Sequence, residues 1–202
     1  MSKKQPASLP SRDDIKQFIR AAPGRVGKRE VARHFGPFVF ELTPMPKGAL
    51  DDVMLAERVD AFLAALPTGF RWAFELRNAE LMTPRWHDVL RAHGAAHVFT
   101  YWTAMPSIRV QHARHGRLSS RFVVARLMLP PFMRYEDKKA EFSPFDRLVA
   151  PQPDMRDDVL EILRAAEEAD CEDAFILANN KAEGSSPLTV KALAERVARE
   201  LG

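Results

Sequence analysis

From residue 38 onward, short apolar runs alternate with segments of helical length. In Arg71-Trp-Ala-Phe-Glu-Leu-Arg-Asn78, Trp72, Phe74 and Leu76 alternate with Ala73, Glu75 and Arg77. A period of two sends one set to each face of a sheet, so this stretch predicts a strand with one wholly apolar face. The other face ends in a carboxylate, a guanidinium and an amide, gathered at the strand's C-terminal end, where parallel α/β folds place their chemistry. The plainer alternative is a half-exposed antiparallel strand with a surface ion pair.

Four more strands follow from similar runs: Phe38–Leu42, His97–Trp102, Phe122–Met128 and Ala174–Asn180. Between them lie helices. Asp52–Leu66 carries Leu55, Val59, Phe62, Leu63 and Leu66 on one stripe, and Thr83-Pro84 supplies an N-cap and a first-turn proline for a helix through Ala92. A helix starting near Asp154 holds Met155, Val159, Ile162, Leu163 and Ala166, and Ser186-Pro187 starts a last one with Leu193, Val197 and Leu201. Strand and helix alternate throughout, which predicts an α/β fold with parallel strands and right-handed crossovers. Two long insertions, Thr103–Arg121 and Leu129–Pro153, each follow a strand's C-terminal end. Gln111-His-Ala-Arg-His-Gly-Arg117, in the first of them, reads as a solvated loop, with a phosphate-binding loop as the alternative.

Charge divides the chain in two. Residues 1–36 hold nine Lys/Arg against three acids, whereas the rest carries more acids than bases, so the net charge of +3 comes from the head alone. Within the head, Ser11 caps a predicted helix that Pro23-Gly24 ends, and a second short helix covers Lys28–His34. The domain expectation is therefore a basic helical head over 1–36 and a body over 37–202. The single cysteine, Cys171, sits among Asp170, Glu172 and Asp173 and makes no intrachain disulfide. No secretory or membrane-spanning run is visible, and a cytoplasmic location is expected. His112 and His115 have no third ligand at a suitable spacing and stand among arginines, so neither a metal site nor a cofactor is expected.

Six motifs then carry a resemblance: Gly69–Asn78, Leu81-Met-Thr-Pro84, His97–Pro106, Phe122-Val-Val-Ala-Arg126, Phe142-Ser-Pro-Phe-Asp146 and Asn179–Thr189. In this order they resemble the C-terminal part of the YecE-like barrel family, a domain of unknown function. The resemblance implies a TIM-type (β/α)₈ barrel with a site at its C-terminal face and no established reaction. Only about five strands are legible where such a barrel needs eight, and the family's first strands have no counterpart. A partial barrel from a fused or truncated reading frame is the expectation, with a second copy of the chain, or another chain, covering its open side. Leu9–Arg20 and Gly24–Phe35 resemble the winged-helix start of bacterial ribonuclease R, but no exonuclease region follows.

With Ala73, Glu75 and Arg77 pointing into the barrel, Glu41, Arg126 and Asn179 join them, and Asn78, Tyr101, Trp102, Asn180 and Glu183 stand at the rim. Two functions are open at this point. Glu75 or Glu41 acts as general acid or base while Arg77 and Arg126 hold an anionic or polar small molecule. Alternatively, the basic head makes weak contact with RNA or DNA and the body is a scaffold.

Overall fold

The computed structural model describes residues 35–130 and 135–202, together with residue 13. The predicted helices of the basic head lie outside the described residues, and so does its likeness to ribonuclease R. Five strands form one sheet: β1 (Phe38–Glu41), β2 (Trp72–Glu75), β3 (Ala96–Tyr101), β4 (Phe122–Leu127) and β5 (Asp173–Ala178). All pairs are parallel and the spatial order is the chain order, β1 to β5. Sequential parallel strands with a helix in each crossover wind in one direction, as in a β/α barrel, and among the described residues the sheet is not closed.

Seven helices lie among the described residues: α1 (Asp52–Ala65), α2 (Pro84–Ala92), α3 (Ile108–His115), α4 (Tyr135–Phe142), α5 (Pro153–Glu168), α6 (Asn180–Glu183) and α7 (Ser186–Glu200). The caps are local. Asp51 accepts from Met54 N at 2.8 Å to start α1, and Thr83 Oγ1 accepts from Trp86 N at 3.4 Å to start α2 with Pro84 in its first turn.

The stretches read as insertions are partly helical, a correction with a clear cause. Helix α3 buries Ile108, Gln111 and His115, spaced three and four apart, so its inward stripe is helical but mostly polar and escapes a search for apolar periodicity. The buried Gln111 amide accepts from Thr100 N at 3.2 Å and donates to Thr100 O at 2.7 Å and Pro106 O at 2.8 Å, which replaces the water it gives up. The reading of 111–117 as a solvated loop is therefore overturned over Gln111–His115, which is helical, while Arg114 and Arg117 are exposed.

Strand alternation sorts the core into two sides. On the helix side of β1 and β2, Phe38, Phe40, Trp72, Phe74 and Leu76 pack with α1 and Trp86, the ring centroids 5.1–6.3 Å apart in tilted and edge-on pairs. On the helix side of β3 and β4, Phe99, Tyr101, Val123, Ala125 and Leu127 meet Met155, Val159 and Ile162 of α5. The other side of the sheet is a smaller core of Ala73, Ala96, Val98, Phe122 and Val124, with Val39 and Phe175 against it.

That inner side is concave. Arg71, just before β2, forms an ion pair with Asp173 at the start of β5, and its guanidinium lies 5.2 Å from the Phe175 ring. Strands three apart in a flat sheet would stand about 14 Å apart with parallel side chains. Only strong curvature brings these groups together. Ala73 and Val124 are thereby fully buried although the sheet is open, while Leu177 on edge strand β5 is 46% exposed.

Candidate functional site

Four charged side chains meet at the C-terminal ends of β1, β2 and β4. Glu75 is the last residue of β2, and alternation turns it inward with Ala73. Its carboxylate is wholly buried; it accepts from Arg77 Nε at 2.9 Å, from Arg126 Nη1 and from the Thr100 hydroxyl at 3.3 Å. Glu41, the last residue of β1, is 39% exposed at its side chain and bonds the same two guanidiniums, Arg77 Nη2 at 2.9 Å and Arg126 Nη1 at 3.1 Å. Two carboxylates and two guanidiniums thus neutralise one another, as buried charge requires. Half-buried Trp102, just beyond β3, lies under Arg77, whose guanidinium carbon is 4.3 Å from the ring centroid.

The remaining residues singled out from the sequence have other partners. Asn78 ties the loop after β1 to the end of β2: its Oδ1 accepts from Met45 N at 2.8 Å and its Nδ2 donates to Met45 O at 3.1 Å. Asn179 caps α6 through Lys181 N at 2.9 Å, and Asn180 Oδ1 accepts from Ser186 N at 2.7 Å. Tyr101 belongs to the helix side of the sheet, where its hydroxyl donates to Gln152 Oε1 at 3.0 Å. Burial, followed by the negative field of Glu183, Asp154 and Asp158, pushes that phenol up to about 12.

Glu183 anchors a second buried pair. It accepts from Gln152 N at 2.6 Å and pairs with Arg156 at 2.9 Å, while its own carbonyl accepts from Val149 and Ala150 N. Gly184 follows at φ +118°, where an added Cβ would stand 2.6 Å from Arg147 O. The segment after β5 is thereby locked onto residues 147–152. Arg156, Gln152 and Thr100 escaped sequence reading. Arg156 lies in the first turn of a surface-type helix and Thr100 in an apolar run, so neither stands out without its partner.

The described residues hold no group of three or more His, Cys, Asp or Glu that could ligate a metal ion. Among them, no helix is long and apolar enough to cross a membrane. Cys171 is half-buried, and burial raises its thiol pKa ahead of the opposing Arg121 and the assisting Asp170 and Glu172.

Comparison with solved structures finds two similar folds. A DUF72 family protein from Thermotoga maritima MSB8 matches with a TM-score of 0.58 at 14% identity, over 93% of this chain and 65% of that one. A second, from Enterococcus faecalis V583, matches with a TM-score of 0.61 at 11% identity, over 96% of this chain and 68% of that one. The chain thus spans about two thirds of the length of either. Curated proteins supply no match. The family model described as protein of unknown function DUF72 matches residues 3–201, taking in most of the basic head as well as the sheet, and the chain belongs to that family.

Proposed function

We propose that the chain binds a small anionic or polar molecule at the C-terminal ends of its strands, held by Arg77 and Arg126. The observation that carries this reading is the inequality of the two carboxylates. Glu75 is buried and held by three donors, whereas Glu41 shares the same guanidiniums from a half-exposed position. An incoming carboxylate or similar anion takes the place of Glu41, so that the guanidiniums exchange one charge-assisted partner for another. Glu75 then acts as a positioning group that fixes the two forks. Where the bound molecule needs a proton moved, Glu41 is the acid or base within reach.

Malonate is a suitable probe. By calorimetry, Glu41→Gln removes the competing carboxylate and strengthens malonate binding by about tenfold, while Arg126→Ala abolishes it. Equal binding by Arg126→Ala, or no binding by either wild type or Glu41→Gln, overturns the proposal.

A further inference from the structure

On the helix side of the sheet, opposite the face that carries Glu75, α2 and α3 line an open cleft of about 390 Å³. Pro84, His87, Asp88 and Arg91 line it from α2, and Arg114, His115, Gly116 and Arg117 from the end of α3. His87 and His115 are only 2% and 5% exposed, and their rings lie against each other with centroids 3.6 Å apart. Neither ring has a hydrogen-bond partner at Nδ1 or Nε2 among the described residues, and Arg91 Nε has none either. A buried imidazole normally bonds at least one nitrogen. His97 on β3, 5.4 Å from His115, shows the ordinary arrangement: it accepts from Trp86 Nε1 at 3.3 Å and bonds Gln111 Oε1 at 3.4 Å.

We infer that this cleft is a binding site for a phosphate monoester, its dianionic head taken by the imidazole N–H groups of His87 and His115 and by Arg91, Arg114 and Arg117. The first turn of α2 and the last turn of α3 meet here, so their opposed dipoles largely offset and the side chains set the sign. Three guanidiniums face one carboxylate, Asp88, whose Oδ1 already accepts from Arg91 Nη1 at 2.7 Å. Each neutral imidazole offers one N–H, and the pair with Arg91 Nε supplies three donors without a partner among the described residues; all three are closed to solvent in the unliganded protein, so the ligand must part the two rings to reach them. Gly116 ends α3 at φ +75°, turning the chain so that exposed Arg114 and Arg117 flank the opening.

The charge state of the histidines is coupled to the dianion. In the unliganded protein burial is the largest cause holding both rings neutral: His87 is lowered to about 4 and His115 is lowered further. Neighbouring groups add to this: His97, His87, Arg91 and His112 act on His115, Arg91 acts on His87, and Asp88 alone opposes it at His87. A bound dianion reverses the local field, so the site takes up protons with the ligand and affinity for the dianion rises as pH falls. A phosphodiester, a fixed monoanion, lacks the second charge that would draw in the proton.

The test follows the ring signals of His87 and His115 by NMR in the full chain while inorganic phosphate, phenyl phosphate and dimethyl phosphate are added in turn at constant ionic strength. Inorganic phosphate and phenyl phosphate should shift both rings saturably, binding about threefold tighter near pH 6.5 than near pH 8 with raised ring pKa values. Arg114→Ala/Arg117→Ala, both at exposed positions, should weaken binding by about tenfold. The same double variant should leave malonate binding unchanged, which separates this site from the one at the strand ends. Absence of a saturable shift with inorganic phosphate, an equal response to dimethyl phosphate, or unchanged affinity in the double variant overturns the inference.

Discussion

Arg126 on β4 places Nη1 3.1 Å from Oε2 of Glu41 on β1, a contact between strands separated by two others. It shares that nitrogen with Glu75 on β2, so three strands of the curved sheet converge on one guanidinium. Arg71 and Asp173 do the same for β2 and β5 at the opposite end. Curvature and charge are thus coupled: the bend brings the ion network together, and the network holds the bend.

Glu75→Gln should be strongly destabilising for that reason. It leaves two guanidiniums with Glu41 as their remaining carboxylate, and breaking a buried pair of this kind costs about 3 kcal/mol. Glu41→Gln, at a half-exposed position, should cost less than about 1 kcal/mol. Urea midpoints of the two variants measure the difference. Equal midpoints would mean that the buried position of Glu75 carries no special weight.

Gly184→Ala should be destabilising by about 2 kcal/mol or more, because φ +118° strains any side chain and the new Cβ meets Arg147 O at 2.6 Å and Val149 N at 2.8 Å. Thermal unfolding reads this directly. A variant as stable as the parent would show that the segment after β5 is free of residues 147–149.

Acid should unfold the protein through its neutral histidines. His87 and His97 titrate near 4 and 3 when folded, with burial the largest cause of each shift. In the unfolded chain they titrate at about 6.5, so protons bind that state first and stabilise it. The stability these rings contribute is complete above about pH 6.5 and is lost as pH falls toward 4, about 3 to 4 kcal/mol for the two rings between pH 7 and pH 5. Urea titrations across that range should show the slope, to which His115, lowered further still, adds a like share, and His87→Asn should remove about a third of it. A flat profile would mean that the rings protonate inside the fold.

The strands were legible because their apolar alternation is strong: the expected runs at 38–42, 97–102, 122–128 and 174–180 overlap β1, β3, β4 and β5 within a residue or two. The meeting of Glu41, Glu75, Arg77 and Arg126 was also legible, since alternation assigns each to the inner face and parallel order places them at one end. Helix α3 was not, because its buried stripe includes Gln111 and His115 and their inward orientation depends on Thr100 and His87. The asparagines mark a second limit. A short amide at a strand end suits a ligand and a backbone cap equally well, and Asn78 and Asn180 are tied to Met45 and Ser186 by contacts that their local sequence does not reveal.

The most direct check on the ligand-holding role of Arg77 and Arg126 is the fluorescence of Trp102 during a malonate titration, because the Arg77 guanidinium lies 4.3 Å over that ring. A saturable emission change is predicted for the wild type, at lower malonate concentration for Glu41→Gln, and absent from Trp102→Phe and Arg126→Ala. No saturable change in Glu41→Gln, or the same change in Arg126→Ala, would contradict the account.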